Sequence, residues 1–206
     1  MTNIDTVNKG KRGRHTVVIL LLFFLASFAG MYVQSYRSVN QRWKDAETVV
    51  YPMGEKVYPD EDILMDFTMK GYAFRVDKAE ILEYQDYLTK YGGEDEYTFA
   101  PDRVYDVTVT LYNENAMDGV GINLQDIYIG GKAWYASLNT LLLELANPKL
   151  QGSTAIALRE NSEIQIHLPY GLNKETFRKE NWENMNDMEA NLIVTLYPTK
   201  KMIKLV

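Results

Sequence analysis

Apolar residues follow three rhythms along this chain: one continuous run, one helical stripe, and then a long series of alternations. The run is VVILLLFFLASFAGMYV, residues 17–33. Eleven of the residues from Thr16 to Val33 are Val, Ile, Leu or Phe. At roughly −0.3 to −0.6 kcal/mol each on an insertion scale, they outweigh Ser27 and Gly30. The segment therefore reads as a membrane-inserted helix over residues 16–33. It just reaches across, about 25 Å at roughly 1.5 Å per residue. Tyr32 and Tyr36 then stand where interfacial aromatics are expected. The competing reading is a signal peptide. Val17–Leu25 has the length of its apolar region, and Ser27 and Ala29 offer small residues for a cut after Ala29. Because apolar character runs on through Met31, Tyr32 and Val33, a retained anchor is the expectation.

The stripe follows at once. Tyr32, Tyr36, Val39, Trp43, Ala46 and Val50 recur at spacings of four and three, the mark of a helix with one apolar face. This predicts a helical stalk over residues 34–50. Its plain reading is packing against its own domain or the lipid interface. The sharper one makes Tyr36, Val39 and Trp43 a contact with a partner membrane protein or a second copy. Two heptads are too few for a coiled coil.

From residue 51 to 206 the period changes to two. Pro52, Gly54, Pro59 and the acidic PDED open a linker or first turn. In RVYDVTVTLYNEN, Tyr105, Val107, Val109 and Leu111 share one face and Asp106, Thr108 and Thr110 the other, predicting a half-buried strand. Tyr72, Phe74 and Val76 alternate, and Ala79 and Ile81 then take the opposite parity. A bulge near Asp77-Lys78 produces such a phase shift. GINLQDIYIGGKAWYA reads as strand, Gly130-Gly131 turn, strand. STAIALRENSEIQIHLPY reads as strand, turn, strand, with Ile164, Ile166 and Leu168 inward. ANLIVTLYPTKKMIKLV reads as a closing pair around Pro198. Two stretches are helical in pattern: LNTLLLELANP, capped by Asn139 and stopped at Asn147-Pro148, and NKETFRKENWENMNDM, a short polar helix or loop carrying Phe177 and Trp182 as core plugs. Seven to nine short strands so spaced predict a mainly β fold, an immunoglobulin-like β-sandwich.

Composition sharpens this picture in two places. The 15 tyrosines favour β structure. The net charge of −6 conceals a basic start, Lys9, Lys11, Arg12 and Arg14, within residues 1–15. That flank places the N-terminus in the cytoplasm and the β domain outside, with Arg37, Arg42 and Lys44 opposing it only weakly. The remaining acidic domain is a poor partner for nucleic acid, whose binding depends on neutralising phosphates. With no cysteine, disulfides, thiolate metal sites and a lipoprotein anchor are ruled out.

Candidate chemistry is sparse. Of two histidines, His15 lies in the basic flank, and His167 shares its strand face with Glu163 and Gln165 and is expected to look outward. One exported histidine without cysteine makes a His-based triad or metal site a poor expectation. Asp60-Glu61-Asp62 and Glu94-Asp95-Glu96 lack the alternating ligands and central glycine of a calcium loop and read as solvated charge. Tyr84, Tyr87, Tyr91 and Tyr97 gather around Gly92-Gly93, edging a core or offering recognition surface. No catalytic residue, cofactor or metal is expected.

The runs YDVTVTLYNEN, INLQDIYI, LANP, IQIHLPYGL and LIVTLYPTKK together resemble an uncharacterised family of membrane-anchored proteins from Gram-positive bacteria, a domain of unknown function. The layout is similar to telokin-like, immunoglobulin-like exported domains. The resemblance spans most of residues 30 to 206; it implies a fold and a location and brings no site residues. The expectation is a single-pass membrane protein presenting an extracellular binding or accessory module, its partner a transporter, another membrane protein, the cell wall or a peptide. The alternative is a carboxylate-dependent enzyme acting on wall polymers.

Overall fold

The apolar run extends in both directions into one long helix, α1, Asp5–Asn40. The computed structural model describes residues 5–40, 46–59, 69–94, 100–116 and 121–206. Within α1, Thr16–Asn40 is long and apolar enough to cross a membrane, a test that a signal sequence near an N-terminus also passes. Its large side chains from Val17 to Val39 are all exposed within the protein itself. Phe24 lies against Phe28 and Tyr32 against Tyr36, the four-residue neighbours of a helical surface.

The chain divides into two compact units, Met1–Asp45 and Ala46–Val206. In the second unit the order is β1 (Glu47–Tyr51), β2 (Tyr72–Glu83), α2 (Tyr84–Tyr91), β3 (Arg103–Asn113), β4 (Ile122–Asn123), β5 (Tyr128–Gly130), β6 (Tyr135–Ala136), α3 (Thr140–Ala146), β7 (Ala155–Ile156), β8 (Ser162–Leu172), α4 (Lys179–Glu183), β9 (Asn191–Ile193) and β10 (Thr199–Lys204).

One element departs from expectation at the start. The helical stripe counted Ala46 and Val50, yet Glu47–Tyr51 is a strand, and it pairs in parallel with β10 from Glu47↔Thr199 to Tyr51↔Ile203. Thr48, Val49 and Val50 are β-branched and fit a pleated surface better than a helix, so the open edge of β10 captures them. The stalk therefore stops short of residue 50, and the β domain begins at Ala46 rather than at 51.

Two sheets form a β-sandwich. One has strand order β1-β10-β9-β5-β6, the other β2-β3-β8, and β4 and β7 make a small ribbon. Phe74, Val76, Val107, Val109, Leu111, Ile166 and Leu168 of the three-stranded sheet share one core with Ile129, Leu192 and Ile203 of the five-stranded sheet. The ribbon adds Ile122 and Ile156 to it. The expected bulge is present: β2 and β3 pair from Tyr72↔Asn113 to Val76↔Val109, skip Asp77, and resume at Lys78↔Thr108. Asn139 caps α3 by accepting from the Leu142 amide, and the helix ends at Asn147. Trp182 is buried on α4, and Phe177 packs on the same core. Strands β9 and β10 close the sheet as an antiparallel pair.

The three-stranded sheet is covered on its second face as well. Strand β3 was expected to be half-buried, yet Asp106, Thr108 and Thr110 are buried along with their apolar neighbours. The strand is the middle one of three, and side chains of α2 and of both flanking strands lie over it. That cover is where the polar chemistry of the domain gathers.

Candidate binding site

Helix α2 explains the cover. Tyr84, Tyr87, Leu88 and Tyr91 stand at i, i+3, i+4 and i+7, so one face of this eight-residue helix is apolar. That face forms a second small core with Val104 and Leu142. The Tyr87 hydroxyl donates to the Leu142 carbonyl at 3.0 Å. Gly92 ends the helix in the left-handed region, φ 73°, where glycine carries no Cβ penalty. The last turn thereby holds Lys90 and Tyr91 over the polar row of β3.

There they meet Asp106, whose side chain is fully buried. Tyr91 donates its hydroxyl to one Asp106 oxygen at 2.5 Å, and Lys90 donates to the same oxygen at 2.7 Å. His167 Nδ1 lies 2.7 Å from the Tyr91 oxygen and 3.3 Å from the second Asp106 oxygen. Since the tyrosine proton goes to Asp106, the network assigns a proton to Nδ1. Lys90 also reaches Glu80 at 2.8 Å, and Glu80 accepts from Lys78. Burial by itself raises the Asp106 carboxyl; hydrogen bonds from His167, Lys90 and Tyr91 outweigh it and hold the group below its ordinary value. Burial lowers the Lys90 ammonium, and Asp106 and Glu80 more than reverse that. Burial and the Asp106 charge push the Tyr91 phenol up.

A second knot lies further along the same face. The bulged Asp77 accepts from Arg75 Nε at 2.6 Å, from Thr110 and from Gln165 Nε2 at 3.0 Å. Burial opposes its ionisation, but those three donors prevail and its carboxyl is lowered. Both knots pair each carboxylate with at least one cation, and Asp106 and Asp77 with a hydroxyl besides, so the face is ordered and its charge largely internal. Among the described residues no group of three or more His, Cys, Asp or Glu is placed to hold a metal.

The open part of this region is at its rim. A cleft of 480 Å³ runs between residues 146–150, at and just after the end of α3, and residues 163–167 of β8. Asn147, Pro148, Leu150, Glu163, Gln165 and His167 are among its walls, with Glu163 as their one acidic side chain. At its inner end the Asn147 side chain accepts from the His167 amide and donates to the His167 carbonyl, both at 2.8 Å. Those are the two hydrogen bonds a neighbouring strand makes.

The sequence-based candidates fare unevenly. Tyr36 and Val39 are exposed on α1, near the end of its described run, and Trp43 lies outside the described residues. So do Asp60-Glu61-Asp62, Asp95-Glu96 and Tyr97. His167 is on the outer face as expected but is about three-quarters buried beneath Tyr91 rather than free. Tyr84 and Tyr87 are core residues of α2. Sequence reading missed α2 itself, although its tyrosine and leucine spacing carried the signal. It also took Asn147 only as a helix stop.

Residues 48–201 match a family described as a domain of unknown function (DUF5028). A solved structure described as an uncharacterized beta-sandwich protein from Clostridium difficile 630 is similar to the chain at 11% identity. That likeness covers 80% of this chain and 96% of that one, with a TM-score of 0.37. No curated protein matches the sequence.

Proposed function

This chain belongs to the family described as a domain of unknown function (DUF5028), and from that premise we propose that it is a single-pass membrane protein presenting its β-sandwich outside the cell as a binding or accessory module. The observation that carries this reading is the pairing of two units with opposite solvent demands. The helix Thr16–Asn40 leaves every large apolar side chain bare, and an apolar medium is what such a surface needs. The β unit has its own closed core and needs none. The basic residues before the helix favour a cytoplasmic N-terminus.

Binding fits the site better than catalysis does. Asp106 and Asp77 are each engaged by a cation and a hydroxyl, and Glu80 by two lysines, which suits a rigid platform. A wall-polymer hydrolase needs two carboxylates facing one sugar site, and no observation among the described residues favours that arrangement. Crosslinking in the native membrane, followed by mass spectrometry of the purified adducts, tests the proposal. Reproducible adducts from the β unit to one partner support it; a protein that yields only self-crosslinked monomer at every crosslinker length counts against it.

A further inference from the structure

Strand β8 is an edge strand, and most of its outer edge is already blunted. In its antiparallel pairing with β3 the register runs from Arg103↔Leu172 to Asn113↔Ser162. The amide and carbonyl of His167 point away from β3, because both are taken by Asn147. Backbone direction alternates along a strand, so residues 163, 165, 169 and 171 face the same way. At position 169 stands a proline, which has no amide to leave unpaired, and its carbonyl accepts from the Asn139 amide at 2.9 Å. Leu138 bridges to Tyr170 beside it. Helix α3 and its flanks thus close the edge from 167 onwards.

They do not close it at 163 and 165. There two amides and two carbonyls face the 480 Å³ cleft, bordered by Pro148 and Leu150 and by Ile164 and Ile166. Natural sheets cover, shorten or charge their edges, since an open one pairs with any strand that fits. Here the Asn147 amide imitates one peptide unit of a neighbouring strand, and among the described residues nothing pairs with the outer edge of β8 beyond it. We infer that this cleft binds an extended peptide segment of a partner, which adds to β8 opposite Glu163 and Gln165. Its backbone supplies the missing hydrogen bonds, and apolar side chains at alternate positions settle against Pro148, Leu150 and Ile164. The inference rests on the domain being a binding module and names the class of its ligand.

The test uses the full chain in lipid nanodiscs and a displayed library of random linear peptides as probe. Selected peptides should slow hydrogen exchange at the Glu163 and Gln165 amides. They should bind Glu163→Ala, which keeps the amide, as well as the unaltered chain. Glu163→Pro removes the outward amide without touching a β3–β8 hydrogen bond, as Pro169 does natively, and should weaken them about tenfold. If Glu163→Pro does not fold, the exchange measurement on the unaltered chain decides alone. No saturable binder, or binders that leave both amides unprotected, overturns the inference. Where that happens while crosslinking still recovers a partner, the binding module stands and the peptide groove falls; failure of both removes both.

Discussion

Tyr91 donates its hydroxyl to Asp106 at 2.5 Å, tying the last turn of α2 to the middle strand of the three-stranded sheet. Removing that hydroxyl leaves a buried carboxylate with one donor fewer. Tyr91→Phe should therefore cost about 1–2 kcal/mol. Chemical denaturation checks this: the midpoint should fall while the slope against denaturant holds, since packing and exposed surface change little.

Asp106 governs the acid limb of stability. Its folded value lies below the ordinary 3.8, so its contribution is fully present above that pH and is lost as pH falls through the folded value. The chain should lose stability below about pH 4, and Asp106→Asn should lose less over the same range. At neutral pH the variant should be weaker by about 2 kcal/mol. That is below the usual cost of breaking a buried pair, because Lys90 is a third exposed and keeps Glu80. Thermal melts of both proteins from pH 3 to pH 7 provide the comparison.

Asn147 replaces a strand neighbour at His167, and its amide is also bonded to the Leu143 carbonyl at 2.9 Å. Asn147→Ala should destabilise the domain by about 2 kcal/mol. It should also speed hydrogen exchange at the His167 amide selectively, while the β2–β3 amides hold. Equal acceleration across the sheet would mean that the plug acts on global stability alone.

Truncation distinguishes the two candidate domain boundaries. A chain beginning at Ala46 keeps β1 and should fold on its own. One beginning at Pro52 loses Tyr51 from the core and uncovers the edge of β10, so it should melt lower and self-associate. Circular dichroism melts and light scattering read both effects.

Much of the sandwich is legible in the alternation itself. The parity change between Val76 and Ala79 located the bulge to the Asp77-Lys78 pair, because a period of two has no slack. Asn139 and Pro148 bracketed α3 through local capping chemistry. The ends of the helical stripe were not legible, because Thr48-Val49-Val50 becomes a strand only through β10, far away in sequence. The site was least legible. Asp106, Thr108 and Thr110 look solvated along the chain, and only the placement of α2 and of side chains from both flanking strands over them buries them. Asn147 reads as a helix terminator until His167 is beside it.

The central claim is an anchored domain facing outward, and a cysteine-free chain makes it directly measurable. Tyr135→Cys puts a thiol on the most exposed large hydrophobic side chain among the described residues of the β unit, and Asn8→Cys puts one before the apolar run. Label intact cells with a membrane-impermeant maleimide, then determine the intact mass of the labelled, membrane-extracted protein. The expected result is labelling at position 135 in intact cells, labelling at position 8 only after permeabilisation, and a mass that retains residues 16–33. A released species starting at Gly30, or a position 135 that reacts only in broken cells, would contradict it.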